Sequence, residues 1–194
     1  VTVRAFTTSD EAQAWLDDTF GRWARGLTIA ERRAIATYKG STYGDVNDYL
    51  RFDETGDRAV DHLVVHLDTA LSKMRLPEDV LAYRGFDSFV LAAAIIDGED
   101  MVGDELTDRA YLSTTLLHRV GTRFLPKSGF DVLATILIPG GAQVGAYVGA
   151  PDLIVPLDEA ELLLPRSTRL RITDVTAAVL PAEPLTIQME VVLP

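Results

Sequence analysis

Cysteine is missing from this chain altogether. That removes disulfide frameworks, thiol nucleophiles and thiolate metal sites in one step. It also suits a protein that works whether its surroundings are oxidising or reducing. Long apolar runs are missing too. None approaches the ~18 residues of a membrane-spanning helix, and the opening "VTVRAFTTSD" has no apolar signal core. The chain begins at Val1, as a processed form or an excised domain would. Positive charge is scarce: 18 Lys and Arg stand against 29 Asp and Glu, a net charge of −11. Such a balance argues against a duplex nucleic-acid binder, which needs a basic footprint. It leaves room for a small anionic ligand held by a few local cations. No repeat, low-complexity tract or dividing linker interrupts the sequence.

What is present fits one globular domain over residues 1–194, with 47% hydrophobic and 24% charged residues and length enough to bury a core. Residues 1–76 carry a helical period. In "TTSDEAQAWLDDTFGRWARG", Thr and Ser offer caps, and Ala12, Trp15, Leu16, Thr19 and Trp23 make one stripe that Gly26 can stop. Thr28 and Glu31 form a T-x-x-E capping box for a second helix that Gly40 should end. "STYGDVNDYLRF" reads as a third helix. "DRAVDHLVVHLDTALSKM" reads as a fourth, with Val60, Leu63, Val64, Leu67 and Leu71 inside. From residue 77 the pattern changes. "VLAYRG", "RAYLSTTL", "FDVLATILIP", "AQVGAYVG", "EAELLLP", "TRLRITDVTAAVL" and "LTIQMEVVLP" read as strands, while "SFVLAAAII" suits either a short helix or a buried strand. Helices first and strands later, without βαβ alternation, predict an α+β fold with a mainly antiparallel sheet.

Three stretches could carry chemistry. In "LAYRGF", Arg84 leaves a buried strand at Gly85 and can offer its planar fork to a phosphate or carboxylate. Taken alone, a surface arginine closing a strand is the plainer account. In "YLSTTL", alternation puts Ser113 and Thr115 on one face and Thr114 on the other. A buried strand hydroxyl must be paired, with a carboxylate or merely with neighbouring backbone. In "DEAELLLPR", an extended strand would project Glu159 and Glu161 side by side, with Asp158 adjoining. Outward glutamates on a strand edge are commonplace, yet such a cluster also suits a developing cation such as an oxocarbenium ion. Other features tempt less. His62 and His66 share a helical face but lack a third ligand for zinc. Gly140 and Gly141 lack the lysine of a phosphate loop and fit a hairpin turn. Trp15 and Trp23 suit a core or an interface, and the final "VVLP" suits a strand.

The order of these blocks is more informative than any one. Arg84, Ser113 and Glu161 follow at spacings of 29 and 48 residues. Before them stand paired tryptophans, L-T-x-x-E-x-x-A-I-x-x-Y and Y-x-x-x-N-x-Y-L-R; between them stands "IPGGAQVGAYVG". Over almost its whole length the chain resembles the Arg/Ser/Glu class of bacterial mono-ADP-ribosyltransferase toxins. Within that class it is most similar to the binary-toxin and insecticidal-toxin enzymatic domains and their Rho-modifying relatives. In that resemblance "LAYRG" is the arginine strand, "YLSTTL" the S-T-S strand with Thr115 in the third place, and "EAELLLPRSTRLRI" the E-x-E strand with its hairpin.

The resemblance implies a cleft for NAD between two small, mainly antiparallel sheets, with NAD as substrate and no metal. It implies that Arg84 binds the diphosphate, that Ser113 holds Glu161, that Glu161 bonds the nicotinamide ribose and stabilises the oxocarbenium ion, and that Glu159 activates the nucleophile. It also brings Tyr43, Asn47, Gly85 and Thr114 to the cofactor. A further phosphate contact falls to Arg119, Arg123 or Lys127, among which the motif does not choose; Arg123 is grouped here with the NAD contacts. Glutamate rather than glutamine at position 159 implies arginine as the acceptor. The partner implied is a protein bearing that arginine, with a delivery or immunity partner beside it and neither nucleic acid nor membrane span. The setting implied is a secreted effector delivered into a target cell's cytoplasm. The loop "GAPDLIVPLD" lacks the family's substrate-facing aromatic residue, which leaves the acceptor open. Two other expectations stand beside this one: a non-catalytic binding module of the same fold, and an NAD glycohydrolase or a transferase to a non-protein acceptor.

Overall fold

The computed structural model describes residues 2–88, 100–127, 131–146, 159–176 and 184–194. Helices α1 (Ser9–Gly26), α2 (Ile29–Thr37), α3 (Tyr43–Arg51) and α4 (Arg58–Ser72) come first. Strands β1 (Val80–Asp87), β2 (Glu105–Thr107), β3 (Leu112–Thr115), β4 (Asp131–Ile138), β5 (Gly145–Ala146), β6 (Glu161–Leu164), β7 (Arg169–Thr176) and β8 (Leu185–Val191) follow, with a short α5 (His118–Arg123) between β3 and β4. The expected α+β order holds, and among the described strands only β4 and β8 pair in parallel. "SFVLAAAII" beyond Ser88, the loop "GAPDLIVPLD" and Asp158 lie outside the described residues, as do the ends of "AQVGAYVG" and "TRLRITDVTAAVL". No described helix is long and apolar enough to cross a membrane.

Local chemistry sets the helix starts. Thr8 caps α1 by accepting from the Glu11 N–H, and Asp10 and Glu11 place negative charge at the positive end of the helix dipole. The Thr28–Glu31 capping box forms, with Thr28 N–H donating to Glu31 Oε2 at 2.8 Å and Glu31 N–H to Thr28 Oγ1 at 3.2 Å. Glu31 is buried and also takes Lys73 on both oxygens, at 2.6 and 2.7 Å. Gly40 does not end α2. The chain runs on through a π-helical turn, Tyr38–Thr42, directly into α3. Gly40 takes no left-handed cap conformation, and the Thr42 hydroxyl bonds the Thr37 carbonyl at 2.7 Å. In α1 the buried stripe is Ala12, Leu16, Phe20 and Trp23; Phe20 takes the place expected of Thr19, and Trp15 is partly buried. In α4 the fully buried positions are Val64, Leu67, Ala70 and Leu71, with Val60 and Leu63 packed at the margin. His62 is exposed on that helix and His66 half-buried.

The sheet order is β2-β7-β8-β4-β1-β3-β6-β5. β1 pairs with β4 along its whole length, and β3 likewise with β6, whereas β1 and β3 meet only at Tyr83↔Thr115. The two expected sheets are therefore two halves joined at one residue pair. Neither expected hairpin forms. β6 pairs with β3 and β5, while β7 pairs with β2 and β8, so "EAELLLPRSTRLRI" crosses from one half to the other. The Gly140–Gly141 turn likewise joins strands that are not neighbours. It answers to the segment after α4: Gly141, at φ 90°, donates to the Leu76 carbonyl, and Leu76 N–H donates to Ala142. β8 stops at Val191, so "VVLP" is strand only at its start. β2 and α5 have no counterpart in the sequence reading.

The helical layer covers the β5–β6–β3 end. Trp23 Nε1 donates to the Ala70 carbonyl at 2.9 Å, tying α1 to α4, and both helices press on Gly145 of β5. Tyr111, just before β3, donates to Asp68 Oδ1 at 2.7 Å with the Val64 carbonyl at 3.1 Å, which fixes that strand to α4. Its ring meets Tyr38 edge-on at 5.4 Å, so the π-helical turn sits over the start of β3.

Candidate active site

A cleft of about 510 Å³ opens where the two halves of the sheet part. Beyond the single Tyr83↔Thr115 pair, β1 and β3 diverge, and backbone groups that would have paired need other partners. Arg84 supplies one: its guanidinium reaches across and donates to the Ser113 carbonyl at 2.5 Å. One donor of five is used there, and the remainder of the fork is available to a ligand. Burial lowers the Arg84 pKa, against the pull of Asp108, yet a guanidinium stays charged at any working pH. Beside it, Arg51 makes a paired contact with Asp108 at 3.0 and 2.7 Å. The cleft thus has a cationic end built from β1 and α3.

Its other end is acidic. Glu159 and Glu161 both line the cleft, but not for the reason the sequence suggested. Glu161 opens β6, whereas Glu159 lies outside the strand, and Ala160 between them has φ 42°. A left-handed alanine costs about 1–2 kcal/mol, so something must hold it. The Thr115 hydroxyl donates to the Glu159 carbonyl, and Leu116 N–H donates to the Ala160 carbonyl at 3.0 Å. Thr115 Oγ1 also accepts from Leu117 N–H at 3.1 Å. The third hydroxyl of the S-T-T run therefore fixes the backbone from which Glu159 projects. Thr114, on the opposite face, donates to Leu162 at 3.0 Å.

The acidic pair converges on Lys39 of the π-helical turn, whose ammonium bonds Glu159 Oε2 and Glu161 Oε2. The three side chains are 11, 19 and 10% exposed. Burial opposes the Lys39 charge, but the two carboxylates outweigh it and raise the lysine's pKa. The Ser113 hydroxyl lies by the Tyr38 hydroxyl, and Glu161 is bonded by Lys39. Tyr38 in turn donates to Asn47 Oδ1 at 3.1 Å, and burial pushes its phenol up to about 12.

Tyr43, Asn47, Gly85, Ser113 and Thr114 all line the cleft with Arg84. Gly85 is there for packing: a Cβ on it would lie 2.5 Å from the Gly121 carbonyl oxygen. The three undivided cations separate. None of the three is among the cleft-lining residues: Arg119 is tied to Ser9, Lys127 is exposed, and Arg123 Nη2 stands 3.6 Å from Glu159 Oε1. Lining residues to which the sequence assigned no role are Lys39, Gly44, Tyr83, Gly121 and Phe124, while Tyr38 and Arg51 entered only as the closing letters of the two helical motifs. Tyr43 and Phe124, 57 and 52% exposed, put two aromatic rings at the cleft's edge. The Lys39 contact has no local sequence signal, because it depends on a helix widening that Gly40 disguises as a stop.

Known proteins share this fold. The chain is 28% identical over 163 residues to the NAD(+)–arginine ADP-ribosyltransferase EFV of Enterococcus faecalis; the match covers 81% of this chain and 31% of that protein. The chain thus spans about a third of that relative. It is 25% identical over 194 residues to the mono-ADP-ribosyltransferase C3 of Hathewaya limosa, covering 90% of this chain and 74% of that one. Among solved structures, Plx2a, an ADP-ribosyltransferase toxin from Paenibacillus larvae, superposes with a TM-score of 0.80 at 26% identity, over 99% of this chain and 100% of that one. The family model for the ADP-ribosyltransferase exoenzyme matches residues 12–193. With a cationic and an acidic wall brought to one cleft, and that match along nearly its whole length, the chain belongs to the ADP-ribosyltransferase exoenzyme family, whose reaction uses NAD as substrate.

Proposed function

We propose that this protein transfers the ADP-ribose of NAD to an arginine side chain of a target protein, and that Arg84, Ser113, Glu159 and Glu161 carry the reaction. The observation that supports this most is the convergence of Arg84 and Glu161, 77 residues apart in the chain (161 − 84), on one cleft. The Arg84 fork suits a diphosphate, which a planar guanidinium grips with two donors. Ser113 contributes by receiving Arg84 on its carbonyl, which sets the fork's direction. Glu161 stabilises the positive charge that develops on the nicotinamide ribose as the glycosidic C–N bond breaks and its electron pair leaves with nicotinamide. A guanidinium nitrogen of the acceptor then bonds to the anomeric carbon. Glu159 attracts that guanidinium and takes the proton it releases. Tyr43 and Phe124 offer flat apolar faces at the cleft's edge for the rings of NAD.

Arginine as the acceptor is supported by the carboxylate at 159 and by the arginine named for the EFV relative. The toxin named among the relatives supports reading the acceptor as a protein in the cytoplasm of a cell into which this chain is delivered. The test uses labelled NAD with wild-type protein, Glu161→Gln and Glu159→Gln, reading nicotinamide release and label transfer to agmatine. Glu161→Gln should lose about 100-fold or more of both. Glu159→Gln should keep slow release to water and lose transfer. Equal nicotinamide release by wild type and Glu161→Gln would refute the assignment.

A further inference from the structure

The two carboxylates assigned to chemistry already hold a cation. Lys39 reaches them from the π-helical turn, a helix irregularity that recurs at functional sites, and it takes one oxygen of each. All three side chains are largely withdrawn from water, where such an ion pair is stronger than on the surface. In the reaction proposed above, two other positive charges need the same oxygens: the developing charge on the ribose and the guanidinium of the acceptor. A fixed ammonium between the acids would oppose both by like-charge repulsion.

Resting on the transferase reading, we propose that Lys39 is a specificity-determining competitor. It occupies the cation site formed by Glu159 and Glu161 and yields it to an acceptor that binds the pair better than an ammonium does. A guanidinium meets that requirement. Its planar fork can bridge two carboxylates, it is less strongly hydrated than an ammonium, and its donors are already arranged. A neutral amide or water brings no charge with which to displace the lysine, and a lysine acceptor brings only an equal. The acidic pair by itself would attract any cation. The resident ammonium turns that general attraction into a preference for arginine. Lys39 has a long, flexible stem and can withdraw without moving the strand that carries Glu161.

The test measures binding of agmatine to NAD-free protein by titration calorimetry, so it needs no turnover. Wild type is compared with Lys39→Met, which keeps the stem and removes the charge, and with Lys39→Arg, which puts a stronger competitor in place. Agmatine should bind about tenfold tighter to Lys39→Met than to wild type, and severalfold weaker to Lys39→Arg. That order distinguishes competition from a structural role, which would weaken binding in both variants. Equal affinity in all three proteins, or weaker binding by a folded Lys39→Met, would overturn the proposal. If Lys39→Met lacks the wild-type circular dichroism spectrum, Lys39→Arg decides: weaker agmatine binding supports competition, and equal or tighter binding overturns it. Failure of the transferase reading would show separately, as nicotinamide release unaffected by Glu161→Gln.

Discussion

Adding one methyl group at Gly85 should damage both stability and the cleft, and the structure says by how much. Gly85 of β1 lies against the C-terminal turn of α5. A Cβ there would stand 2.5 Å from the Gly121 carbonyl oxygen, 3.0 Å from Leu125 N and 3.1 Å from Phe124 C. All three are backbone atoms, so no side chain can rotate away. The contact is also close from the other side, where a Cβ on Gly121 would lie 2.9 Å from Tyr83 Cβ. Overpacking of this kind costs about 1–3 kcal/mol, and rigid neighbours place Gly85→Ala toward the upper end. At about 2–4 °C per kcal/mol for a domain of this size, thermal unfolding followed by circular dichroism should show a fall of about 5–10 °C. The methyl also pushes away the turn carrying Arg123 and Phe124, so NAD affinity measured by calorimetry should fall as well. An unchanged melting temperature would refute the packing argument. Loss of NAD affinity without loss of stability would instead give Gly85 only the cofactor contact that the family resemblance implied.

Three further outcomes follow from named contacts. Thr115→Val removes the hydroxyl that holds the Glu159 carbonyl and receives Leu117 N–H; it should cost roughly 1–3 kcal/mol in urea unfolding and reduce transfer to agmatine more than nicotinamide release. Lys73→Met leaves the buried Glu31 carboxylate without its counterion. Because Lys73 is itself partly exposed, the loss should be roughly 1–3 kcal/mol, short of that for a fully buried pair, and the Glu31→Gln, Lys73→Met double variant should recover part of it. In alkali, the raised Tyr38 phenol stays protonated in the folded protein after the unfolded chain has ionised near pH 10, so stability should fall between about pH 10 and 12 by roughly 3 kcal/mol. Lys39, also raised, adds to the loss as the pH rises past the usual lysine range. Denaturant midpoints across that range should flatten in Tyr38→Phe by the tyrosine's share, and an unchanged profile would remove Tyr38 from the account.

Features encoded locally were legible in the sequence. The Thr28–Glu31 capping box needs only two residues three apart, and it forms as read. The stripe of α1 was displaced by one position because Thr19 and Phe20 both border the apolar face, and packing against Trp15 and Trp23 selects Phe20. Gly40 misled because a glycine after a helical period usually caps it, while here Thr42 and the start of α3 carry the chain through a wider turn. The acids of "DEAELLLPR" were legible as a pair and illegible in conformation. Nothing in an alanine signals a left-handed φ; the carbonyl bonds from Thr115 and Leu116, some 45 residues earlier, impose it. The missed hairpins share that cause, since strand partners are chosen by the whole sheet and not by the turn between them.

On this reading one molecule of NAD spans the cleft from Arg84 to Glu161. A crystal structure with a carbocyclic NAD analogue, whose nicotinamide bond does not break, tests it most directly. The diphosphate should lie within hydrogen-bond reach of the Arg84 guanidinium, with the hydroxyls of the ring beside nicotinamide within reach of Glu161. An analogue bound with its diphosphate away from Arg84, or with that ring turned from both glutamates, would contradict it.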